Sequence, residues 1–141
     1  MLGFAIVGCG MIARFHARAL ADVPDTRVVA LVSRKAANAQ SLATALGLSC
    51  DIYTDLAPVL KRPDVHIVII TTPSGAHLEP AVAAAEAGKH VVVEKPLEIT
   101  TLEGRVSREC LKRPFPCPPD ARLAATAWAS PFVTPHWSRN R

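Results

Sequence analysis

Residues 3–13 read Gly-Phe-Ala-Ile-Val-Gly-Cys-Gly-Met-Ile-Ala, an apolar run that stops at two closely spaced glycines. A short continuous apolar run is typical of a β-strand buried on both faces of a parallel sheet. From Met11 to Ala21 the apolar residues recur at helical spacing, which predicts a helix directly after the glycines. This stretch therefore predicts a strand, a tight turn and a helix in immediate succession.

The alternation of strand and helix continues through the first hundred residues. The patterns predict further strands over 27–32, 48–53, 65–70 and 90–93, and helices over 36–46, from 55 to Pro63, and over 76–87. Connections of this length between parallel strands form right-handed crossovers. The predicted fold class is therefore α/β, a doubly wound parallel sheet of the Rossmann-like kind.

Charge and composition divide the 141 residues into two parts. Residues 1–100 carry nine basic and nine acidic side chains, whereas residues 101–141 carry seven and three, so the net charge of +4 belongs to the second part. Both tryptophans and half of the twelve prolines lie there too. We predict a dinucleotide-binding domain over residues 1–112 and an atypical tail over 113–141, which is either disordered or supplies one extra strand at 122–129.

The glycine turn has the form G-x-G-x-x-A, with Gly8, Gly10 and Ala13 at the fixed positions. Doubly wound sheets bind ligands beyond the carboxyl ends of their strands. Gly8 permits the tight turn, Gly10 lets the backbone approach a pyrophosphate, and the N–H groups of Met11 and Ile12 at the helix start face the anion. The alternative is a glycine turn without a ligand, but the flanking strand and helix favour a dinucleotide.

The residues after the second strand bear on which dinucleotide is bound. Domains that bind NAD usually carry an acidic residue here for the ribose hydroxyls, whereas this chain has Ser33, Arg34 and Lys35. A hydroxyl and two cations suit the 2′-phosphate of NADP. NADP is therefore predicted in preference to NAD, the alternative being that Arg34 and Lys35 form a solvated helix start.

Polar residues also follow the fourth strand. Thr72, Pro73 and Ser74 form a turn that is expected to face the cofactor across the crevice. His77, slightly further on, either touches the cofactor or substrate or is an ordinary polar residue of the first helical turn.

Glu94, Lys95 and Pro96 follow the fifth strand. A lysine beside a nicotinamide could hydrogen-bond a substrate hydroxyl or carbonyl and help its proton to move. Taken alone, Lys95 is more simply explained as a surface turn residue, because lysine is among the most exposed side chains.

Four motifs, in this order and spacing, resemble the amino-terminal half of the family that joins glucose-fructose oxidoreductase, inositol dehydrogenases and MocA. They are Ala5-Ile-Val-Gly-Cys-Gly-Met-Ile-Ala13, Ser33-Arg34, Thr72-Pro73-Ser74 with His77, and Glu94-Lys95-Pro96-Leu97. The resemblance implies that Lys95 lies at the catalytic centre and that the serine-arginine pair favours NADP. The residues expected to bind the cofactor are Gly8, Gly10, Met11, Ile12, Ser33, Arg34, Lys35, Thr72, Pro73, Ser74, His77, Glu94, Lys95 and Pro96. It also implies a sugar, polyol or related hydroxyl or carbonyl compound as substrate.

The likeness fades after about residue 101. Members of that family continue into a second, α+β domain that forms the substrate pocket, whereas this sequence ends at Arg141. A short protein with an unusual tail and a product whose frame changes near Thr101 both fit, and the shift in charge and proline content favours the second. Two functions follow: hydride transfer between NADP and a sugar or polyol, or dinucleotide binding without turnover.

Other classes of function have less support. The four cysteines, at positions 9, 50, 110 and 117, lack metal-ligand spacing, so we expect no metal site and reduced thiols in a cytoplasmic protein. No apolar run is long enough to span a bilayer, so no membrane is expected as partner. Glutamates at 103 and 109 flank and interrupt the basic run over 105–113, and no nucleic acid is expected as partner either. Apolar surface uncovered by a missing domain would favour a homo-oligomer or self-association.

Overall fold

The computed structural model describes residues 1–96, in which five strands alternate with four helices. In chain order they are β1 (Leu2–Val7), α1 (Met11–Ala21), β2 (Thr26–Val32), α2 (Ala36–Leu46), β3 (Asp51–Tyr53), α3 (Ala57–Leu60), β4 (Ile67–Ile70), α4 (Leu78–Glu86) and β5 (His90–Val93). In this part of the chain no helix is long and apolar enough to cross a membrane. The predicted domain boundary at 112 and the predicted strand at 122–129 lie outside the described residues.

The strands form one parallel sheet in the order β3-β2-β1-β4-β5. β1 lies at the centre, and its last residue, Val7, pairs with Val32 on one side and Ile70 on the other. The carboxyl ends of the strands are therefore level. The residues that follow them form a single edge: Gly8, Ser33, Thr54, Thr71 and Glu94.

Helices cover both faces of the sheet, which confirms the predicted doubly wound α/β fold. One buried cluster packs α1 and α2 against β1, β2 and β4, and the other packs α3 and α4 against the opposite face. Ala13 and Ala17 are buried completely or almost so, and their small side chains let α1 lie close to the sheet. Tight packing of this end of α1 fixes the position of the loop before it.

The predicted bounds of α1, α2 and β5 match the structure, and Gly47 ends α2 with the left-handed φ of +62° that such a cap requires. β3 begins at Asp51 and β4 at Ile67, later than predicted. In β4 the cause is His66, whose Nδ1 accepts the Gly3 N–H at 3.0 Å. A side chain thus replaces the backbone oxygen that would accept the Gly3 N–H, while the Gly3 oxygen still accepts the His66 N–H at 2.9 Å. Regular pairing starts at Ile67.

Candidate functional site

A cleft of about 1120 Å³ lies along the carboxyl edge of the sheet. Ligand sites in doubly wound folds lie at this edge, and the volume is large enough for a dinucleotide-sized ligand. Thirteen of the residues predicted for the site line it: Gly8, Gly10, Met11, Ile12, Ser33, Arg34, Lys35, Thr72, Pro73, Ser74, His77, Glu94 and Lys95. Pro96 is not part of this lining.

The two glycines of the first loop differ in what surrounds them. Gly8 has φ +93°, and a Cβ there would lie 2.7 Å from the Thr72 nitrogen and 2.8 Å from the Thr71 oxygen, both backbone atoms. A Cβ on Gly10 would meet nothing within 4 Å, although the residue borders the cleft. Gly8 is therefore required by the fold, whereas Gly10 leaves open space beside the cleft.

The amino end of α1 directs unsatisfied backbone donors towards this space. Gly10 is the N-cap residue, no side chain caps the helix, and its first turn holds no acidic side chain. The first N–H groups of a helix have no partner within the helix, and the helix dipole adds partial positive charge at this end. These features are typical of helix starts that bind anions, which is the role that the glycine motif predicts for α1.

The loop after β2 presents two cations at the cleft. Ser33 is 9% exposed, and its N–H donates to the Tyr53 oxygen at 3.0 Å, so its position is fixed by the sheet. Arg34 and Lys35 are exposed, and neither side chain has a hydrogen bond or ion pair within residues 1–96. Two positive charges thus stand at the cleft after β2, and neither is paired with a carboxylate within the described residues.

Two further residues that line the cleft were not predicted from the sequence. Asn38 lies in the first turn of α2, and Asp55 follows β3, where its Oδ1 accepts the Ala57 N–H at 3.1 Å. Neither lies at a position that the glycine motif specifies. Only the order of the strands in the sheet brings the loop after β3 to the same cleft.

The loop after β4 is tied to the glycine loop. The Thr71 hydroxyl lies 2.6 Å from the Gly8 oxygen and 3.1 Å from the Val7 oxygen, a role that no motif indicates. The Thr72 hydroxyl donates to the Ala76 oxygen at 2.8 Å, which closes the turn containing Pro73 and Ser74.

His77 borders the cleft, but its ring is only 1% exposed. Nε2 lies 2.8 Å from the Thr72 oxygen and Nδ1 lies 2.8 Å from the Pro96 oxygen. Both ring nitrogens are thus directed at backbone carbonyls. His77 joins the loop after β4 to the turn that carries Lys95, and Pro96 takes part in the site through this contact.

Glu94 is held between α1 and the turn after β5. Its Oε1 lies 2.7 Å from Nε2 of His16, and its Oε2 accepts the Lys95 N–H at 3.3 Å. The hydrogen bond from His16 is the main cause that lowers the pKa of the Glu94 carboxyl below its usual value. Lys95 itself is exposed at the cleft, and its side chain has no partner within the described residues.

Cys9, between the two glycines, is unsuited to nucleophilic chemistry. Burial, with a smaller contribution from Cys50, raises the pKa of its thiol to about 11, so the thiol is protonated at neutral pH. Its Sγ donates instead to the Val32 oxygen at 3.6 Å. Among residues 1–96 no three His, Cys, Asp or Glu side chains are grouped so as to hold a metal ion.

Known proteins share the fold and part of the sequence of this chain. The family model described as the oxidoreductase family with an NAD-binding Rossmann fold matches residues 2–113. Two curated relatives span 70% of this chain: 2,7-anhydro-N-acetylneuraminate hydratase of Mediterraneibacter gnavus, at 37% identity, and inositol 2-dehydrogenase of Salmonella typhimurium, at 39%. The match covers 25% and 30% of these relatives, so the chain spans less than a third of their length.

Among solved structures, GenD2 from gentamicin A biosynthesis, in complex with NAD, superposes with a TM-score of 0.72 at 32% identity. The superposition covers 78% of this chain and 31% of GenD2. The glycine loop, the level strand ends and the match over most of the chain lead to one conclusion. This chain belongs to the oxidoreductase family with an NAD-binding Rossmann fold that takes its name from glucose-fructose oxidoreductase, inositol dehydrogenase and MocA.

Proposed function

We propose that the cleft binds a nicotinamide dinucleotide, NADP in preference to NAD, for hydride transfer to or from a sugar, polyol or related compound. The observation that carries the proposal is the uncapped start of α1, with open space at Gly10, in the same cleft as two cations that have no ion pair within residues 1–96. The uncapped helix start suits a pyrophosphate, and the two cations suit a 2′-phosphate. Inositol 2-dehydrogenase and the NAD complex of GenD2, as similar proteins, support the class of substrate and cofactor.

Each loop of the cleft has a role in this proposal. Gly10 and the N–H groups of Met11 and Ile12 hold the pyrophosphate, while Ser33, Arg34 and Lys35 hold the 2′-phosphate. The turn formed by Thr72, Pro73 and Ser74 borders the cleft on the other side of β1. His77 and Glu94 contribute by hydrogen bonds that hold the turns that line the cleft.

Lys95 is the proposed catalytic residue. The nicotinamide, when bound, supplies or accepts the hydride. In the reduction, the ammonium of Lys95, exposed at the cleft, would donate a hydrogen bond and then a proton to the substrate carbonyl oxygen; in the oxidation, the neutral amine would accept the proton that the substrate hydroxyl loses. The Lys95 side chain is exposed and makes no hydrogen bond or salt bridge within residues 1–96, so it is available for this contact.

The preference for NADP is tested by Arg34→Ala. We expect its dissociation constant for NADP to rise about tenfold or more, because a charge-assisted hydrogen bond to phosphate contributes ~1.5–3 kcal/mol. The constant for NAD should change less than about twofold. Isothermal titration calorimetry at fixed salt measures both constants. Lys61→Ala, which removes an exposed cation away from the cleft, is the matched control, and equal weakening for both dinucleotides would contradict the proposal.

Dinucleotide binding without turnover is the second candidate function. It is favoured by the cleft itself, since the residues proposed to bind the dinucleotide all lie within residues 1–96 and nearly all of them line it. We expect the purified 141-residue chain to bind NADPH but to show little dehydrogenase activity with inositol or simple sugars, measured by absorbance of the reduced cofactor. Robust turnover with a polyol would reject this candidate, and Lys95→Met should then remove the turnover while leaving NADPH affinity within about threefold.

A further inference from the structure

We infer that His16 is a positioning residue for Lys95, acting through Glu94, and that it couples the dinucleotide-binding helix α1 to the turn that carries Lys95. The inference rests on the proposed function of Lys95 and extends it to a residue in a different element. His16 lies on the second turn of α1, 78 residues before Glu94 in the sequence. No motif in the sequence points to it.

The contact between His16 and Glu94 is short and partly shielded from solvent. Nε2 and Oε1 are 2.7 Å apart, and the two side chains are 17% and 27% exposed. A carboxylate only accepts hydrogen bonds, so Nε2 of His16 is the donor. A charge-assisted hydrogen bond in such a setting is stronger and more directional than an exposed ion pair.

Glu94 is fixed at three points, and Lys95 is the next residue. Besides the contact with His16, the Glu94 N–H donates to the Ile70 oxygen at 3.1 Å, and Oε2 accepts the Lys95 N–H at 3.3 Å. The Lys95 ammonium makes no hydrogen bond or salt bridge within residues 1–96, so its direction depends on this turn, including the attraction of the neighbouring Glu94 carboxylate. Loss of the His16 contact would release the Glu94 carboxylate and, with it, the Lys95 amide.

The same helix links this turn to the cofactor site. α1 begins at Met11, where its free N–H groups face the proposed pyrophosphate site, and His16 lies on the following turn. A ligand that orders the start of α1 would therefore also favour the conformation in which His16 holds Glu94. Such coupling is reciprocal, so placement of Lys95 and dinucleotide binding should each strengthen the other.

The first test needs no cofactor. In His16→Ala, hydrogen exchange at the Lys95 amide, followed by NMR, should be about tenfold faster than in the unmodified chain. His16→Gln places an amide N–H near the position of Nε2 and should restore slow exchange. Arg18→Ala, an exposed change on the same helix, should have no effect. Glu94→Gln, which keeps an acceptor but removes the charge, should give an intermediate rate if His16→Ala fails to fold.

Two results of this experiment would overturn the inference. One is an unchanged exchange rate at Lys95 in His16→Ala or, if that variant does not fold, in Glu94→Gln. The other is equal acceleration at Lys95 and at the amides of β1 and β4, because this would mean that His16 only stabilises the domain as a whole.

The second test measures the coupling to the cofactor. Modification of the Lys95 amine by an acylating reagent, quantified by peptide mass spectrometry, should slow about tenfold with saturating NADPH in the unmodified chain and in His16→Gln. In His16→Ala the protection should fall below about threefold. Equal protection in all three would reject the coupling. If the unmodified chain binds no NADPH, the proposed function fails, and the exchange experiment still decides the role of His16.

Discussion

Gly3→Ala is expected to destabilise the domain by roughly 3 kcal/mol or more, enough to unfold a marginally stable protein. A Cβ at this position would lie 1.9 Å from the backbone oxygen of Asp64 and 3.0 Å from its carbonyl carbon. Both atoms belong to the backbone, so no side-chain rotation can relieve the overlap. Gly3 lies in β1, at the centre of the sheet, where a backbone shift would disturb two neighbouring strands.

Chemical denaturation followed by circular dichroism measures the loss. Gly47→Ala is the matched control, because Gly47 has φ +62° but a Cβ there meets nothing within 4 Å. This control should lose only about 1 kcal/mol, from the left-handed conformation alone. Similar losses in the two variants would mean that the close approach of Asp64 to Gly3 is not a constraint on the fold.

Alanine substitutions at the two glycines of the dinucleotide loop should change different properties, NADPH affinity at Gly10 and stability at Gly8. Gly10→Ala should leave the free energy of unfolding within about 0.5 kcal/mol, because its Cβ meets nothing and its φ of −90° suits alanine. The same methyl group would occupy the space proposed for the pyrophosphate. We therefore expect NADPH affinity to fall about tenfold or more.

Gly8→Ala should behave in the opposite way and lower stability by roughly 2–4 kcal/mol, because of its φ of +93° and its contacts with Thr71 and Thr72. Thermal unfolding and fluorescence titration with NADPH, carried out on both variants, measure the two properties independently. If Gly10→Ala binds NADPH as tightly as the unmodified chain does, the pyrophosphate does not lie beside Gly10.

Local sequence signals were sufficient for most of the fold. The glycine motif and the apolar periodicity predicted the bounds of α1 and α2, since both helices have clear apolar faces and glycines at an end. Gly3 and His66 have structural roles that local sequence signals do not indicate. In the sequence they are an ordinary strand residue and a polar interruption, and their importance comes from a backbone contact and a hydrogen bond between residues more than 60 positions apart.

Part of the candidate site could likewise be predicted from local sequence signals, and part could not. The residues predicted from motifs line one cleft, because the strand ends that carry them are level. His16 and Thr71 were missed, since each acts through a partner that is distant in sequence. The role of Lys95 and the preference for NADP remain predictions, because both depend on how a ligand is held.

Because β1 lies at the centre of the sheet, one of its neighbouring strands is synthesised much later than β1 itself. Phe4–Val7 pair with Ile67–Ile70, so the strand synthesised first lacks one of its neighbours until about 60 further residues have left the ribosome. At about 5–20 residues per second, that interval is several seconds. During it, one edge of an almost wholly apolar strand stays unpaired, and an unpaired apolar edge is exposed to pairing with other chains.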